Sequence, residues 1–579
     1  MASTEIQSLL ALDVGEIATR ALLFDVVEGQ YRFIASGSAP TILAAGLDRV
    51  IRSALDRLED ITGRNFIDEG GGLILPSAKD GSGVDQFVAT ISVGQPLKIV
   101  AVGLLKEIST RSAIGLAKTT YTNILGTISI DDNGKVEDRI DTILRLRPDL
   151  ILIAGGTEKG ASKSVIRMVK TIAMACRLLP EEQQPEVLYA GNQSLVDDVK
   201  ASLTDVKSLH FALNVRPDLE QEWITPAQEK VAEIFRNVRS RQFNEFDILG
   251  DWADGNLLPL PTAFGRIIRF LGKVYDPAKG VLGIHVSAEA ATVAASMSES
   301  LTLGVHPQLG IGRGLFDSFG KLDLRTITQW IPDEVSEAYI GDYILNKASY
   351  PASIPVSKED LAIECALLRQ VVRAAVKLTA VNFPKNVNRT RQGLLPWFEP
   401  IVAAGSALLE VPSFAQILMI LLDSVQPTGV TTLVLDQNNL SPSLGAAAAV
   451  NPLLVVQVLE SSTFISLGTV ISPVADTRAG MRILQVRMVY ESGDELKLDV
   501  KQGALEVLPL PVGQSANLYL QPLHKADVGM GGPGRGGSVR VMGGALGVVI
   551  DARGRPLRLA DDPMRRRELL KKWLWTLGG

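Results

Sequence analysis

Two apolar segments near the start of the chain flank a turn whose side chains could hold a phosphate group. The segments are Leu9–Leu12 and Ala21–Val26, and the turn between them contains Asp13, Gly15, Thr19 and Arg20. A carboxylate at Asp13 could hold a hydrated magnesium ion, and the missing side chain at Gly15 would let phosphate approach the backbone amides. Because the second segment is again apolar, the pattern predicts a β-hairpin and not the strand-to-helix turn of a dinucleotide-binding unit. A buried hairpin with a polar tip and no ligand fits the same residues.

Length and composition limit the classes of protein to which this turn can belong. A chain of 579 residues is too long for one hydrophobic core, and we expect roughly three or four domains. Its 46% hydrophobic and 21% charged residues are typical of an ordinary globular protein. The net charge of -6 provides no general basic surface for counterion release, so we expect no nucleic-acid binding.

The cysteine content and the apolar segments indicate the cellular compartment of the protein. Two cysteines, Cys176 and Cys365, and four histidines are too few for a disulfide framework or a Cys/His zinc cluster. The N-terminus lacks the basic and then apolar order of a signal peptide. The longest apolar runs, Ile401–Leu422 and Leu444–Leu459, are interrupted by charged residues, asparagine and proline, which disfavours a membrane span. We therefore expect a soluble, cytoplasmic protein.

Short apolar runs alternate with helical stretches in the middle of the chain, which is typical of α/β layers. Strands are predicted at Leu97–Leu105, Leu150–Ala154 and Val187–Ala190, and the last two end at glycines. Glycine turns at the carboxyl ends of strands are where α/β sheets place ligands. Further along, Thr225–Arg241 has apolar residues at helical spacing, and the composition of Gly250–Pro261 predicts a loop or hinge.

The pattern changes near residue 456 to short strands separated by turn residues, which predicts a separate, mostly β domain. Its glycine-rich run, Gly529–Gly537, contains GxGxxG spacing but precedes a strand, so we interpret it as a loop and not as a nucleotide motif. The chain ends in a basic amphipathic helix, Arg565–Leu577, with Trp573 and Trp575. This helix could dock on the protein's own core, on a membrane surface or on a partner.

Longer phrases give the chain a family resemblance. The turn at Asp13 is followed by LILIAGGTEKGAS (Leu150–Ser162), VLYAGN (Val187–Asn192) and NVRPDLEQEWITPAQEKVAEIF (Asn214–Phe235), and this order resembles the glutamate mutase L family. These MutL-type accessory proteins are related to the reactivating ATPases of cobalamin-dependent aminomutases. The similarity covers roughly residues 8–455, and the β tail resembles an extension found in some longer members.

The resemblance implies an α/β protein with a two-lobed actin-like ATPase (ribonuclease H-like) fold, in which ATP and magnesium bind between the lobes. The implied domains are a first lobe with an inserted α/β segment (1–255), a second lobe (256–455) and the C-terminal mostly β domain (456–579). The first phosphate segment would contribute Asp13, Gly15, Thr19 and Arg20, with Asp13 as the metal ligand. Gly405 and Ser406, after the strand Pro400–Ala403, would lie on the adenosine side, although a plain strand-to-helix turn is an equal alternative.

The family's second phosphate segment, an aspartate, two glycines and threonines after a strand, is altered in this chain. The matching stretch is Val281–Ser296, and the substituted positions are His285 for the aspartate, Ser287 and Ala288 for the glycines, and Ala290 and Ala291 for the threonines. The stretch thereby loses a magnesium-binding or water-orienting group and the close approach of backbone to phosphate. Glu289 and Thr292 are candidates to compensate. We therefore expect weak or absent hydrolysis and assign no catalytic residue.

Three functions follow from these residues. A degenerate nucleotide-binding accessory or scaffold protein, a pseudo-ATPase, agrees with a retained fold and lost chemistry. The alternative is an active ATP-dependent reactivating chaperone of a cobalamin-dependent aminomutase, whose cycle requires different affinities in two states. A small-molecule kinase is disfavoured because it needs a catalytic carboxylate near the second phosphate loop. We expect a protein partner, either such a mutase or a cytoplasmic assembly, while membrane-surface contact through the C-terminal helix and a homo-oligomer stay open.

Overall fold

The hairpin predicted at the start of the chain is present in the computed structural model, which describes residues 7–132, 134–158, 160–243, 245–253, 257–298, 300–315 and 323–579. The first elements are β1 (Ser8–Val14), β2 (Ala18–Val27), β3 (Gln30–Pro40), α1 (Leu47–Thr62) and β4 (Gln86–Ile91). Strand β1 is buried along its whole length: it pairs at both edges, antiparallel with β2 and parallel with β4, and its apolar side chains belong to a large core cluster. This explains its continuous apolar sequence.

An inserted α/β unit follows β4. Its elements are β5 (Leu97–Val102), α2 (Arg111–Ala117), β6 (Thr122–Ile128), α3 (Val136–Leu146), β7 (Leu150–Ile153), α4 (Ser162–Leu178), β8 (Glu186–Tyr189), α5 (Val196–Ser202) and β9 (Leu209–Phe211). The strands are all parallel in the order β6-β5-β7-β8-β9. A cavity of about 270 Å³ lies near the carboxyl ends of its first strands and is lined by Leu104, Gly156 and Arg216 among others. Such edges are the usual ligand positions of α/β sheets.

The chain then returns to the first sheet. The elements are α6 (Thr225–Gln242), α7 (Glu245–Trp252), β10 (Leu257–Pro259) and α8 (Leu260–Val274). Strand β10 pairs with β4 and completes a sheet of order β3-β2-β1-β4-β10. The predicted loop at Gly250–Pro261 is therefore wrong in its described part, where a short strand runs directly into a helix with proline in its first turn. Residues 254–256 of that prediction lie outside the described residues.

The second lobe repeats the topology of the first. Its elements are β11 (Gly280–Val286), β12 (Ala291–Met297), β13 (Ser300–His306), α9 (Leu324–Thr328), α10 (Glu337–Ser349), α11 (Lys358–Ala380), β14 (Phe398–Ala404), α12 (Ser406–Leu409), α13 (Phe414–Ser424), β15 (Gly429–Leu435), α14 (Ser441–Ala447) and α15 (Pro452–Leu459). The order β13-β12-β11-β14-β15, with an antiparallel meander followed by two parallel strands, matches β3-β2-β1-β4-β10. The duplicated arrangement confirms the predicted two-lobed actin-like α/β fold.

Helices α8 and α14 join the two lobes. Gly445 in α14 lies directly against Ala263 in α8, and a Cβ at Gly445 would come within 1.8 Å of the Ala263 carbonyl oxygen. Leu444 and Leu454, from α14 and α15, belong to the same buried cluster as Leu10 of β1. The chain after β15 therefore covers the first sheet as well as the second.

The C-terminal region contains β16 (Ile465–Ser472), β17 (Arg482–Tyr490), β18 (Glu495–Lys501), β19 (Leu505–Leu508), β20 (Ser515–Pro522), β21 (Gly537–Met542), β22 (Val548–Asp551) and α16 (Pro563–Thr576). Strands β16, β22 and β19 extend the second-lobe sheet beyond β15, and the remaining four form a separate antiparallel sheet in the order β18-β17-β20-β21. The domain boundaries at residues 255 and 455 stay predictions.

The terminal helix α16 docks on the second lobe. Trp573 and Leu570 are buried in its core cluster, and the Trp573 ring lies 4.8 Å from the guanidinium carbon of Arg553. Trp575 points away from the core and is 79% exposed. Across the described parts of the chain, no helix combines the length and the apolar character that crossing a bilayer requires.

Candidate functional site

The two lobes place Asp13 and His285 at equivalent positions in their sheets. Asp13 is opposite Arg20 in the first hairpin, one pair before the end of the ladder, and His285 is opposite Thr292 in the second. On the parallel side, Asp13 neighbours Thr90 of β4, whereas His285 neighbours Ala404 of β14. The register of the sheets therefore supports the alignment that puts His285 where the second phosphate segment would have an aspartate.

Asp13 is a buried carboxylate near the end of β1, close to where the first hairpin contacts the second. It is only 5% exposed and accepts a hydrogen bond of 2.7 Å from the Thr90 hydroxyl. Burial raises the pKa of Asp13 from 3.8 to about 6, against the opposing effects of the Thr90 hydrogen bond and the Arg20 charge, and Glu289 raises it further. An ionised carboxylate is thus held where a cation would stabilise it.

The raised pKa predicts that Asp13→Asn stabilises the protein at neutral pH. The folded-state pKa of about 6 exceeds the ordinary 3.8, so wild-type stability falls as the pH rises between these values, and the loss is complete above about pH 6. Asparagine does not ionise, and we expect a gain of about 2–3 kcal/mol in the free energy of unfolding at pH 7.5. Chemical denaturation at pH 4 and pH 7.5 tests this, and an equal gain at both values would contradict it.

The other predicted residues of the first hairpin have different surroundings. A Cβ at Gly15 would lie 2.8 Å from the Ala18 carbonyl oxygen, so glycine is needed to close the turn. Thr19 is buried and its hydroxyl lies 3.0 Å from that of Thr41, which directly follows β3. Arg20 crosses the cleft and donates a hydrogen bond of 2.6 Å from Nη2 to the carbonyl oxygen of Asn438.

The loop after β15 supplies a second buried carboxylate. Asp436 accepts hydrogen bonds from the backbone N–H groups of Leu440 and Ser441 and from the Ser441 hydroxyl. Burial raises the pKa of Asp436, while those hydrogen bonds and the charge of Arg20 act in the opposite direction. Because Arg20 acts on both Asp13 and Asp436, it links the ends of the two sheets electrostatically.

Gly405 packs against the neighbouring strand. Its φ is +99°, and a Cβ would come within 2.2 Å of the Val286 carbonyl oxygen. Its N–H donates a hydrogen bond of 3.1 Å to Oδ1 of Asn439. Ser406 is exposed at the start of α12. The close backbone contact accounts for the glycine without a ligand, and the nucleotide roles of Gly405 and Ser406 stay predictions.

His285 is a core histidine. It is 2% exposed and its ring centroid lies 5.6 Å from that of Phe264. Burial lowers the pKa of His285 to about 4, so the ring is neutral at pH 7. Among the described residues, neither Nε2 of His285 nor the hydroxyl of Thr292 has a hydrogen-bond partner. Whether Thr292 compensates for the group that the second hairpin has lost stays a prediction.

Glu289 reaches from the second hairpin to the first. One carboxylate oxygen, Oε1, accepts a hydrogen bond of 2.6 Å from the backbone N–H of Glu16 and lies 3.3 Å from the Ser92 hydroxyl. The pKa of Glu16 is raised by burial and by Glu289, and lowered in turn by Arg313, whose Nε lies 3.2 Å from Glu16 Oε1. These contacts join β-hairpins of opposite lobes.

Several of these residues lacked a sequence signal. Ser92, Tyr121 and Arg313 lie in parts of the chain that match no phosphate motif. Tyr121 is buried near the hairpins, and its pKa is raised well above 10.0 by burial and then by Glu289 and Asp13. The apolar residues before Ser92 are typical of a strand that ends at this serine. Because α/β sheets place ligands at strand ends, this pattern indicates that a polar group there could face a ligand.

The groups implied by the resemblance fit the first hairpin and not the second. The Glu16 N–H already takes a carboxylate oxygen, so the turn fits an anion. Asp13 fits magnesium that keeps several waters and is completed by phosphate oxygens, since such ions often use one or two carboxylates. The described residues contain no group of three or more His, Cys, Asp and Glu side chains that could hold a metal ion alone. The role of Asp13 as a metal ligand stays a prediction.

The duplicated topology of the two sheets defines a protein of the actin-like ATPase fold class. A family model described as "MutL protein" matches residues 9–463. This match covers most of the chain, and the chain therefore belongs to the MutL family. A curated relative, Protein MutL of Clostridium tetanomorphum, is 27% identical over 198 residues, which are 34% of this chain and 40% of that protein.

Solved structures that match this chain have low sequence identity and low TM-scores. Nucleotide-free acetone carboxylase is 12% identical, with 86% of this chain and 81% of that chain covered and a TM-score of 0.33. Nucleotide-free diol dehydratase-reactivating factor is 9% identical, with 78% and 99% covered and a TM-score of 0.29. Xylulose kinase from Bifidobacterium adolescentis is 11% identical, with 80% and 96% covered and a TM-score of 0.26.

Proposed function

We propose that this protein is a cytoplasmic accessory or scaffold protein of the MutL family that binds ATP with magnesium and hydrolyses it weakly or not at all. Nucleotide would bind through the first hairpin and change the relative position of the lobes. The lobe surfaces and the C-terminal sheet would then present a nucleotide-dependent surface to a protein partner. Binding without turnover can still act as a switch when the two lobe positions have different affinities for nucleotide.

The observation that carries this proposal is the asymmetry between the hairpins. Asp13 and His285 occupy the same register position, yet one is a carboxylate beside a hydroxyl and the other is a neutral ring packed on Phe264. Hydrolysis by such a cleft needs groups that position the metal and the attacking water on the side of the terminal phosphate. The second hairpin supplies no carboxylate at that register position.

The proposal predicts binding without turnover. Wild-type protein should bind ATP more tightly with magnesium than without it, and Asp13→Ala should weaken the magnesium-dependent binding by about tenfold or more, as expected for the loss of a metal ligand or its oriented water. Phosphate release by the wild type should not exceed that of the variant. Calorimetry and a phosphate-release assay measure the two quantities. Robust release that Asp13→Ala abolishes would show an active ATPase, and absence of binding would remove the nucleotide from the function.

The alternative is an active reactivating chaperone of a cobalamin-dependent aminomutase. It is favoured by the preserved first hairpin and by the polar contact of Arg20 with Asn438, which a nucleotide could rearrange. The partner of this alternative is the mutase itself. Purified mutase carrying damaged cobalamin would regain activity with this protein and ATP, and would not regain it with a non-hydrolysable analogue. A pseudo-ATPase would bind the mutase with either nucleotide and restore no activity.

A further inference from the structure

We propose that Glu289 is an internal anion that occupies the phosphate position of the first hairpin, so that a nucleotide must displace it before the cleft can bind phosphate. The inference rests on the proposed nucleotide binding and adds its regulation. In this inference Glu289 does not replace the lost groups of the second phosphate segment. Its carboxylate instead competes with phosphate for the turn of the first hairpin.

The contact has the geometry of anion binding at a backbone turn. Oε1 of Glu289 accepts a hydrogen bond from the backbone N–H of Glu16 at an N···O distance of 2.6 Å, and the short distance agrees with a charged acceptor. The same oxygen lies 3.3 Å from the Ser92 hydroxyl and would be 3.5 Å from a Cβ at Gly15. The carboxylate therefore covers the small residue and the amide that an approaching phosphate oxygen would use.

The second hairpin holds Glu289 in this position. The Ser287 hydroxyl accepts hydrogen bonds from the N–H groups of Glu289 and Ala290, and the Ser287 carbonyl accepts one of 2.9 Å from Ile311. A Cβ at Gly310 would lie 2.3 Å from the Ala288 carbonyl oxygen, so the following loop packs directly on the hairpin. The tip is fixed from both sides, and its carboxylate is directed across the cleft.

Charge attraction does not explain the contact. Within the described chain Glu289 forms no ion pair, and the carboxylates of Asp13 and Glu16 are close enough to feel its charge. Arg313 pairs with Glu16 instead. The hydrogen bonds at the turn therefore hold Glu289 against like charges. Removing the Glu289 side chain leaves the Glu16 N–H without its acceptor, but it also removes the repulsion from Asp13 and Glu16. A Glu289→Ala variant should therefore fold.

Glu289→Ala tests the inference by two measurements on the full chain. Without nucleotide, hydrogen–deuterium exchange in a peptide covering residues 14–20 should accelerate by about tenfold to a hundredfold at the Glu16 amide, the range expected for losing one hydrogen bond to a charged group. Binding of MgATP, measured by calorimetry, should become tighter by about the same factor at most. Glu16→Gln is the matched control because it removes a negative charge from the same cleft and leaves the backbone contact in place. It should change exchange at this amide little.

The outcomes separate this inference from the proposed function. Faster exchange with tighter MgATP binding supports both. Faster exchange with no MgATP binding by either protein leaves the internal contact standing and removes the nucleotide function. Unchanged exchange overturns the inference, whatever the affinity. Faster exchange with weaker MgATP binding also overturns it, because Glu289 would then be part of the nucleotide site.

Discussion

Replacing Asp551 with asparagine is expected to lower the free energy of unfolding by about 3–5 kcal/mol, the usual cost of breaking a buried ion pair from one side. Asp551 is fully buried and accepts two hydrogen bonds from the guanidinium of Arg553, at 2.8 and 2.9 Å, and one of 2.7 Å from that of Arg555. Asparagine keeps the shape and removes the charge. Arg553 then keeps Asp423 as a counter-charge, whereas Arg555 loses the carboxylate with which it pairs.

The effect should be large because the pair belongs to a network that joins the C-terminal region to the second lobe. Arg553 also donates to Asp423, which accepts a second guanidinium from Arg369 in α11, each at 2.8 Å. The face of Arg553 lies against Trp573 of the terminal helix. Loss of Asp551 should therefore loosen α16 as well as β22, and urea unfolding followed by tryptophan fluorescence would report both.

The pH dependence gives an internal check on this prediction. Burial alone would raise the pKa of Asp551, but Arg553 and Arg555 outweigh it and hold the pKa well below 3.8. A depressed folded-state pKa contributes stability that is present above the unfolded-state value and is lost as the pH falls toward the folded one. The difference between wild type and Asp551→Asn should therefore shrink below about pH 4. Asp499→Asn, at the exposed pair with Arg482, is the control and should cost little. If Asp551→Asn lowered the free energy of unfolding no more than Asp499→Asn does, the buried network would not contribute the stability that we expect.

The sequence predicts the fold where neighbouring residues determine an element, or where a long segment resembles a known family. The hairpin followed from two apolar segments around a short turn, and the helix at Thr225–Gln242 followed from its periodicity. Pairing between distant strands has no such signal. Nothing within Ile465–Ser472 itself indicates that this strand joins β15 of the second lobe, because an apolar strand can pair with many others.

The site was predictable to a smaller extent for the same reason. The sequence located Asp13 and the altered second hairpin, which the sheet register places at equivalent positions. It could not show that Glu289 contacts Glu16, since these residues are separated by 273 positions and meet only when the lobes approach. Gly405 shows another limit of prediction from sequence. A glycine at a strand end indicates that some group approaches its backbone closely, but the sequence does not show whether that group is a ligand or the backbone of Val286.

Gly445→Ala is expected to destabilise the protein by about 2–3 kcal/mol, although alanine is the better helix former. Alanine in a helix interior gains about 1 kcal/mol over glycine. At Gly445, however, the added methyl carbon would lie 1.8 Å from the carbonyl oxygen of Ala263 and 2.5 Å from its carbonyl carbon. Backbone atoms cannot rotate away as a side chain does, so α8 and α14 must move apart and lose packing along the whole contact.

Gly250→Ala supplies the matched control, because the same substitution there meets no atom of the described residues. Gly250 also lies in a helix, and among the described residues no atom outside the local helix backbone lies within 4 Å of a Cβ at this position. We expect it to be neutral or stabilising by up to about 1 kcal/mol. Opposite signs for the two variants in urea unfolding would show that steric contact at α8, and not helix propensity, decides the result.

The Gly445→Ala substitution should also weaken the Arg20 contact between the lobes, because the displaced helix α14 follows the loop that carries Asp436 and Asn438. A stable Gly445→Ala protein would mean that the two helices slide freely, and that their crossing does not fix the relative position of the lobes.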